Sequence, residues 1–168
     1  MINVSPATRR LTRSALIAAL YMLLSLIFEA ISFGAVQFRI AEALTLLPVL
    51  MPDTVVGLTV GCLLGNIVGG AVWFDVLFGT LATFLAALAA RRLHAKPALA
   101  AAMPVLFNGL IVGPVVYLGY VKAPGAAISL PVLLSSMGTV ALGEAVVCYA
   151  LGLPLLHLMC RLPEKVVK

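Results

Sequence analysis

Charge is scarce in this chain: only 10% of its 168 residues are Asp, Glu, Lys or Arg, while 63% are hydrophobic. A soluble domain carries about 25% charged residues, so the composition excludes one and predicts an integral membrane protein. The alternating pattern of a membrane barrel is missing too. The apolar runs are long and scattered with Gly and Pro, as in membrane helices. Cysteine is sparse, and Cys62, Cys148 and Cys160 lie in apolar segments without metal-ligand or disulfide spacing. They read as small interior residues, and no metal site is expected. HExxH, GxSxG, a Walker lysine and CxxC are all absent, so neither an enzyme nor a cofactor is expected. No filter sequence or ring of like charges marks a channel. The halves show no inverted repeat of the kind many self-sufficient carriers contain.

At about 20 residues per span, the length leaves room for roughly five or six helices and almost no soluble domain, so no ATPase of its own. The sequence predicts an all-α protein with six transmembrane helices at 11–33, 40–51, 54–72, 75–93, 98–120 and 129–160, a single domain over 1–168. The first is longer than a signal core of 7–15 residues and is expected to stay in the mature protein, with Thr8 or Thr12 as its cap. The second is short. Residues 40–51 make only ~18 Å of α-helix against a ~30 Å core, and Pro48 and Pro52 interrupt them. Charge counting decides whether it crosses. With six crossings, the clusters Arg9, Arg10, Arg13, then Arg91, Arg92, Lys96, then Arg161, Lys165, Lys168 share one side. That puts nine cations there against two, Arg39 and Lys122. With five crossings the split is four against seven. The positive-inside rule favours six, with both termini cytoplasmic. Such clusters are also not a nucleic-acid stripe. The last span's length implies tilt, a kink at Pro154, or an overhang.

Small residues recur at helical spacing. Gly57, Gly61, Gly65 and Gly69 form a ridge on the third span; Ser14/Ala18 and Ala15/Ala19 form pairs on the first, Gly109/Gly113 on the fifth, and Ser135/Thr139/Gly143 on the sixth. Such faces let another backbone approach closely. Packing within the chain explains most of them, but the pair Ala15 and Ala19 sits beside a basic cluster where a partner protein would dock.

Against this apolar background, polar residues in the spans are functional-site candidates by default. Arg39 and Glu42, spaced i, i+3, share one face of a helical turn. They offer fixed donors and acceptors suited to a flat, polar, purine-like solute. Asn66, Trp73 and Asp75 lie near the outer turn between the third and fourth spans, Asn108 mid-way along the fifth, and Glu144 mid-way along the sixth; Gln37, Glu29 and Tyr117 are further polar positions. By depth they line a cavity that opens outward. Plainer roles compete: interfacial anchoring for Trp73, N-capping for Asp75, helix–helix hydrogen bonds for Asn66 and Asn108, solvation for Glu29, and a loop clamp for Arg39 with Glu42. Glu144 is harder to dismiss, because a mid-membrane carboxylate must be protonated, paired or facing water.

These residues, taken in order, resemble a known family. Ala15 and Ala19, the run Phe38, Arg39, Ile40, Ala41, Glu42, Ala43, Leu44 with Leu46, Leu47, Pro48, the stretch from Gly61 to Asn66, the stretch from Trp73 to Thr83, and Pro104 to Asn108 are similar to the QueT family, substrate-binding S components of energy-coupling factor (ECF) transporters. The resemblance implies a six-helix protein of the bacterial cytoplasmic membrane. Such a protein binds a micronutrient at the outer face and works with a transmembrane T component and two cytoplasmic ATPases, the T component meeting Ala15 and Ala19. The implied solute is a queuosine precursor, a 7-deazaguanine such as preQ1, preQ0 or queuine. Its lactam N–H and exocyclic amine match a carboxylate, Glu42 or Glu144, in a bidentate pair. Arg39 or an Asn amide would donate to its carbonyl, and Trp73 or Phe38 would stack on the ring. The aminomethyl cation of preQ1 would take Asp75 or Glu29 as counter-ion. With Asp53 set inside, the acidic excess at outer and mid-membrane depth suits a cationic solute. The competing readings are an S component for a different vitamin and a non-transport membrane scaffold.

Overall fold

Ser5 and Pro6 start the first helix for local reasons. The Ser5 hydroxyl accepts from the backbone N–H of Thr8 at 3.1 Å, and Pro6 stands at a position whose N–H needs no partner. Ser5, not Thr8 or Thr12, is therefore the cap, and Arg9, Arg10 and Arg13 fall inside α1 (Pro6–Ile27). The computed structural model describes residues 5–32 and 37–162. The expected end of the first span at Phe33 and the last basic residues, Lys165 and Lys168, lie outside the described residues.

After α1 come a single turn, α2 (Glu29–Ser32), a 3-10 helix (Ile40–Val49), α3 (Thr54–Val68) and α4 (Trp73–Arg92). A rod over Pro97–Val121 follows, made of α5 (Pro97–Phe107), a π-turn (Asn108–Val112), α6 (Gly113–Val116) and a second π-turn (Tyr117–Val121). The last rod, Leu130–Met159, joins α7 (Leu130–Val147), a π-turn (Cys148–Gly152) and α8 (Leu153–Met159). No strand occurs among the described residues. Four of these helical stretches are long and apolar enough to cross a membrane; Ile40–Val49 and Thr54–Val68 are shorter apolar helices.

The short second segment is not α-helical as predicted. Pro48 lacks an N–H, and in an α-helix its ring would press on the carbonyl of residue 44. Thr45 Oγ1 meanwhile donates to the Glu42 carbonyl at 2.5 Å. Tighter winding rises faster, so ten residues reach ~20 Å instead of ~15 Å. Runs of 3-10 helix this long are uncommon. Here residues 41–48 are all buried, so packing from every side holds the segment in place.

Contacts at small residues fix the direction of each pass. Gly57 lies against the Ser14 backbone, Gly61 against Ala18 and Tyr21, and Gly65 against Met22 and Ser25, so α1 and α3 run parallel. Arg13 pairs with Asp53 at 3.3 Å, and Ser14 Oγ donates to the Asp53 carbonyl at 2.9 Å, pinning their starts together. The 3-10 segment between them must run back. It lies parallel to the last rod, Gly143 against the Gln37 carbonyl and Gly152 against Ala43 and Leu46. α4 is antiparallel to α3, with Ala87 packed among Val55 and Leu58, and the Pro97–Val121 rod reverses again, bringing Ala100 and Ala101 to Ala90. Gly109 then rests on Ala141 and Gly113 on Met137. Among the described residues, the helical stretches alternate in direction. The starts of α1 and α3, the end of α4 and the end of α8 lie at one end, together with Arg9, Arg10, Arg13, Arg91, Arg92 and Arg161.

Pro154 is accommodated by a local change of winding. The π-turn Cys148–Gly152 precedes it, the Leu153 N–H reaching back to the Cys148 carbonyl; likewise Asn108–Val112 precedes Pro114. Widening the helix one turn before a proline absorbs its missing donor. Exposed Leu, Ile and Val side chains cover the outside of the bundle, as a lipid-facing surface requires.

The Gly57 contact can be tested directly. Gly57→Ala would press a Cβ into the backbone of Ser14, whereas Gly138→Ala meets nothing within 4 Å. Thermal unfolding in detergent is expected to show Gly57→Ala destabilised by about 1–3 kcal/mol and Gly138→Ala unchanged.

Candidate functional site

Arg39 does not share a helical face with Glu42. It precedes the 3-10 helix, with φ −84° and ψ 86°, and in this extended stretch neighbouring side chains point opposite ways. Arg39 and Gln37 therefore turn inward, Arg39 Nε donating to Gln37 Oε1 at 3.2 Å. Phe38 turns outward, into an apolar groove of about 320 Å³ lined by Ser135, Gly138, Thr139, Leu142 and Gly143. The structure does not bring Phe38 to the buried polar groups.

The guanidinium of Arg39 meets Asp75 instead, Nη2 to Oδ2 at 2.5 Å, both side chains buried. Asp75 is not an N-cap. Val72 is the cap, its carbonyl taking the N–H groups of Asp75 and Val76, and Asp75 sits in the first helical turn, where the helix N-terminus favours a carboxylate. Asn66 Nδ2 donates to the Asp75 carbonyl at 3.2 Å. Gly79 makes room for the pair, since a Cβ there would collide with Asp75 Oδ1. Trp73, two residues before Asp75, faces the other way by helical geometry. It is 65% exposed and stacks on Phe74, an interfacial placement. Glu29 is also exposed, and Asp75 is committed to Arg39, so neither suits the counter-ion role expected of it.

Two turns along α4, Thr83 reaches the second half of the cluster. Glu42 is fully buried. Its Oε1 accepts from the Tyr21 hydroxyl and from Thr83 Oγ1 at 2.6 Å, while Oε2 has no hydrogen-bond partner. Glu144 is buried on α7, its Oε2 3.9 Å from the Cys148 sulfur, which also lies 3.8 Å from the Glu42 carbonyl. Asn108 opens the first π-turn; it is fully buried, and neither of its amide atoms has a partner. The register of Gly109 on Ala141 sets it within about one helical turn of the depth of Glu144.

Tyr21 and Thr83 were not singled out from the sequence. A threonine in a helix can satisfy its hydroxyl on the carbonyl one turn back, as Thr80 does on Val76 at 2.6 Å, so its type carries no signal. Tyr21 did carry one: a phenol inside an otherwise apolar span needs a partner. Ala15 and Ala19 are exposed on α1, whereas Ala18 is buried against α3.

Buried atoms left without partners are costly, about 1–3 kcal/mol each and more in a bilayer. Glu42 Oε2, Asp75 Oδ1, Gln37 Nε2 and both ends of the Asn108 amide are such atoms. They include both donors and acceptors. Fold and cluster together define a multi-pass helical membrane protein with a buried polar cluster in its interior. A family model described as QueT transporter matches residues 11–161, and the chain belongs to that membrane transporter family. No curated protein and no solved structure matches the sequence.

Removing one member of the Arg39–Asp75 pair strands the other in the interior. Arg39→Met alone is expected to lower stability in detergent by about 3–5 kcal/mol, and the double variant Arg39→Met, Asp75→Leu to recover most of the loss. Thermal denaturation of the two variants beside the wild type measures it.

Proposed function

We propose that the protein is the high-affinity S component of an ECF-type importer, binding a queuosine precursor of the 7-deazaguanine class and driven by ATPases in partner subunits. The observation that carries this reading is the half-satisfied Glu42 carboxylate, together with the buried Asn108 amide, which also lacks a hydrogen-bond partner. A deazaguanine edge presents a lactam N–H, an exocyclic amine and a carbonyl. Glu42 does not clasp the first two by itself, because Oε1 already accepts two hydrogen bonds and leaves Oε2 alone for the solute. The second donor of the solute then goes to Asn108 Oδ1 or Glu144, and the Asn108 amide donates to the carbonyl. A scaffold whose polar groups only braced helices would have them paired, as Arg39 and Asp75 are, so the partnerless atoms favour solute binding.

The topology belongs to the same reading. Alternating helical stretches, with the basic clusters at one end, support six crossings with both termini in the cytoplasm of a bacterial cell. The 3-10 segment, with its greater rise, serves as the second crossing. The exposed pair Ala15 and Ala19 lets another backbone approach α1 closely, which suits docking of the membrane-embedded T component. Two ATPases would act from the cytoplasmic side.

Isothermal titration of the detergent-purified protein with preQ1, preQ0, queuine and guanine tests the proposal. At least one deazaguanine is expected to bind at nanomolar concentration, with Glu42→Gln and Asn108→Ala each weakening it by about tenfold or more. Binding of none of the four would sink the queuosine assignment. Tight binding untouched by either substitution would move the site elsewhere.

A further inference from the structure

One hydroxyl of the polar interior belongs to a helix whose other side is exposed. Tyr21 is buried on α1 and donates to Glu42 Oε1, while Ala15 and Ala19 of the same helix are on the surface. Close packing sets the base of the phenol. A side chain at Gly61 of α3 would collide with the Tyr21 Cβ. One turn on, Ser25 rests on Gly65 and donates its Oγ to the Tyr21 carbonyl at 2.9 Å. A tyrosine reaches far from its backbone with few side-chain torsions, so the place of α1 decides the place of the hydroxyl.

Charge is not what this hydroxyl supplies. The Arg39 guanidinium, bound to Asp75 at 2.5 Å, acts electrostatically on Glu42 and Glu144 alike, and does so with or without the phenol. Tyr21 supplies direction. A free carboxylate turns about its last torsion and exchanges its oxygens. With Tyr21 and Thr83 both on Oε1, Glu42 is held with Oε2 as the oxygen left over. Thr83 is the weaker anchor. Its hydroxyl also lies 3.3 Å from the Cys62 sulfur, and a helical threonine can turn to the carbonyl one turn back, as Thr80 does on Val76. The phenol of Tyr21 is too far from its own backbone for that exchange.

We propose that Tyr21 is a positioning residue for solute binding: it fixes Glu42 so that Oε2 faces the solute, and through it affinity depends on how closely α1 is seated on α3. The inference rests on the deazaguanine reading and adds a route from a surface helix to the site. Tyr21 acts through Glu42, without touching the solute. A shift of α1 away from the glycine ridge is then felt at the carboxylate.

Two double-variant cycles test this by isothermal titration of the detergent-purified full-length protein. The probe is whichever of preQ1, preQ0, queuine and guanine binds the wild type most tightly. The first cycle combines Tyr21→Phe, which removes only the hydroxyl, with Glu42→Ala. Tyr21→Phe is expected to weaken binding by about fivefold or more when Glu42 is present, and by less than about twofold when it is not. The second combines Tyr21→Phe with Gly65→Ala, whose Cβ would come within 3.1 Å of the Ser25 Cβ and 3.2 Å of its Oγ and displace that part of α1. Gly65→Ala is expected to weaken binding by about threefold or more with the phenol in place and by less than about twofold in Tyr21→Phe.

Wild-type affinity in Tyr21→Phe would overturn the proposal. Equal weakening by Tyr21→Phe with and without Glu42 would too, since the phenol would then touch the solute itself. So would a Gly65→Ala variant that binds like the wild type, or one that weakens binding equally without the phenol. If Glu42→Ala does not fold or binds too weakly to titrate, the Gly65 cycle decides by itself. Binding of none of the four bases by the wild type would remove the deazaguanine reading and this inference together, whereas tight binding indifferent to Tyr21 would remove only this inference.

Discussion

Glu42 is the carboxylate on which the polar interior depends. It has no exposed surface, yet the Tyr21 and Thr83 hydroxyls converge on one of its oxygens. Those three residues belong to α1, the 3-10 helix and α4, so a single acceptor ties three passes together. In water, each hydroxyl would trade this bond for one to solvent at little net cost. Inside an apolar bundle there is no such exchange, and the three passes are held in register by the need to keep that carboxylate hydrogen-bonded.

Glycine makes the convergence possible. Tyr21 reaches Glu42 because α1 lies close on Gly57, Gly61 and Gly65 of α3; Arg39 reaches Asp75 because Gly79 leaves room beside the carboxylate. The same packing divides α1 into two faces. Ala18, Tyr21 and Ser25 are buried, whereas Ala15 and Ala19 are on the surface. One helix thus carries both a hydrogen bond to the buried Glu42 and an outward small-residue face, an arrangement that would let the proposed docking and solute binding be coupled through a single rigid element.

Much of this was legible in the sequence, because bilayer physics leaves few choices. Long apolar runs announced a helical membrane protein, and the basic residues Arg9, Arg10, Arg13, Arg91, Arg92 and Arg161 were expected at one end, where the described helices place them. Arg39, Glu42, Asn66, Asp75, Asn108 and Glu144 stood out as polar residues in apolar surroundings, and all six are buried. What was not legible depended on backbone direction. The pairing of Arg39 with Glu42 assumed a helical turn, but Pro48 and Thr45 favour a 3-10 helix that begins after Arg39, which frees the guanidinium to reach Asp75 from a pass 36 residues away. Phe38 and Trp73 were misplaced for a related reason. Each is near an inward polar residue in sequence and opposite it in space. Thr83 was invisible, because a helical threonine ordinarily satisfies itself.

The central claim is that the partnerless buried atoms are the solute contacts. A structure of the protein loaded with a 7-deazaguanine would test it most directly. The account predicts ring-edge nitrogen or oxygen atoms within about 2.7–3.2 Å of Glu42 Oε2 and of the Asn108 amide, with Tyr21 and Thr83 still on Oε1. A solute seated elsewhere, with Asn108 still unpaired, would contradict it.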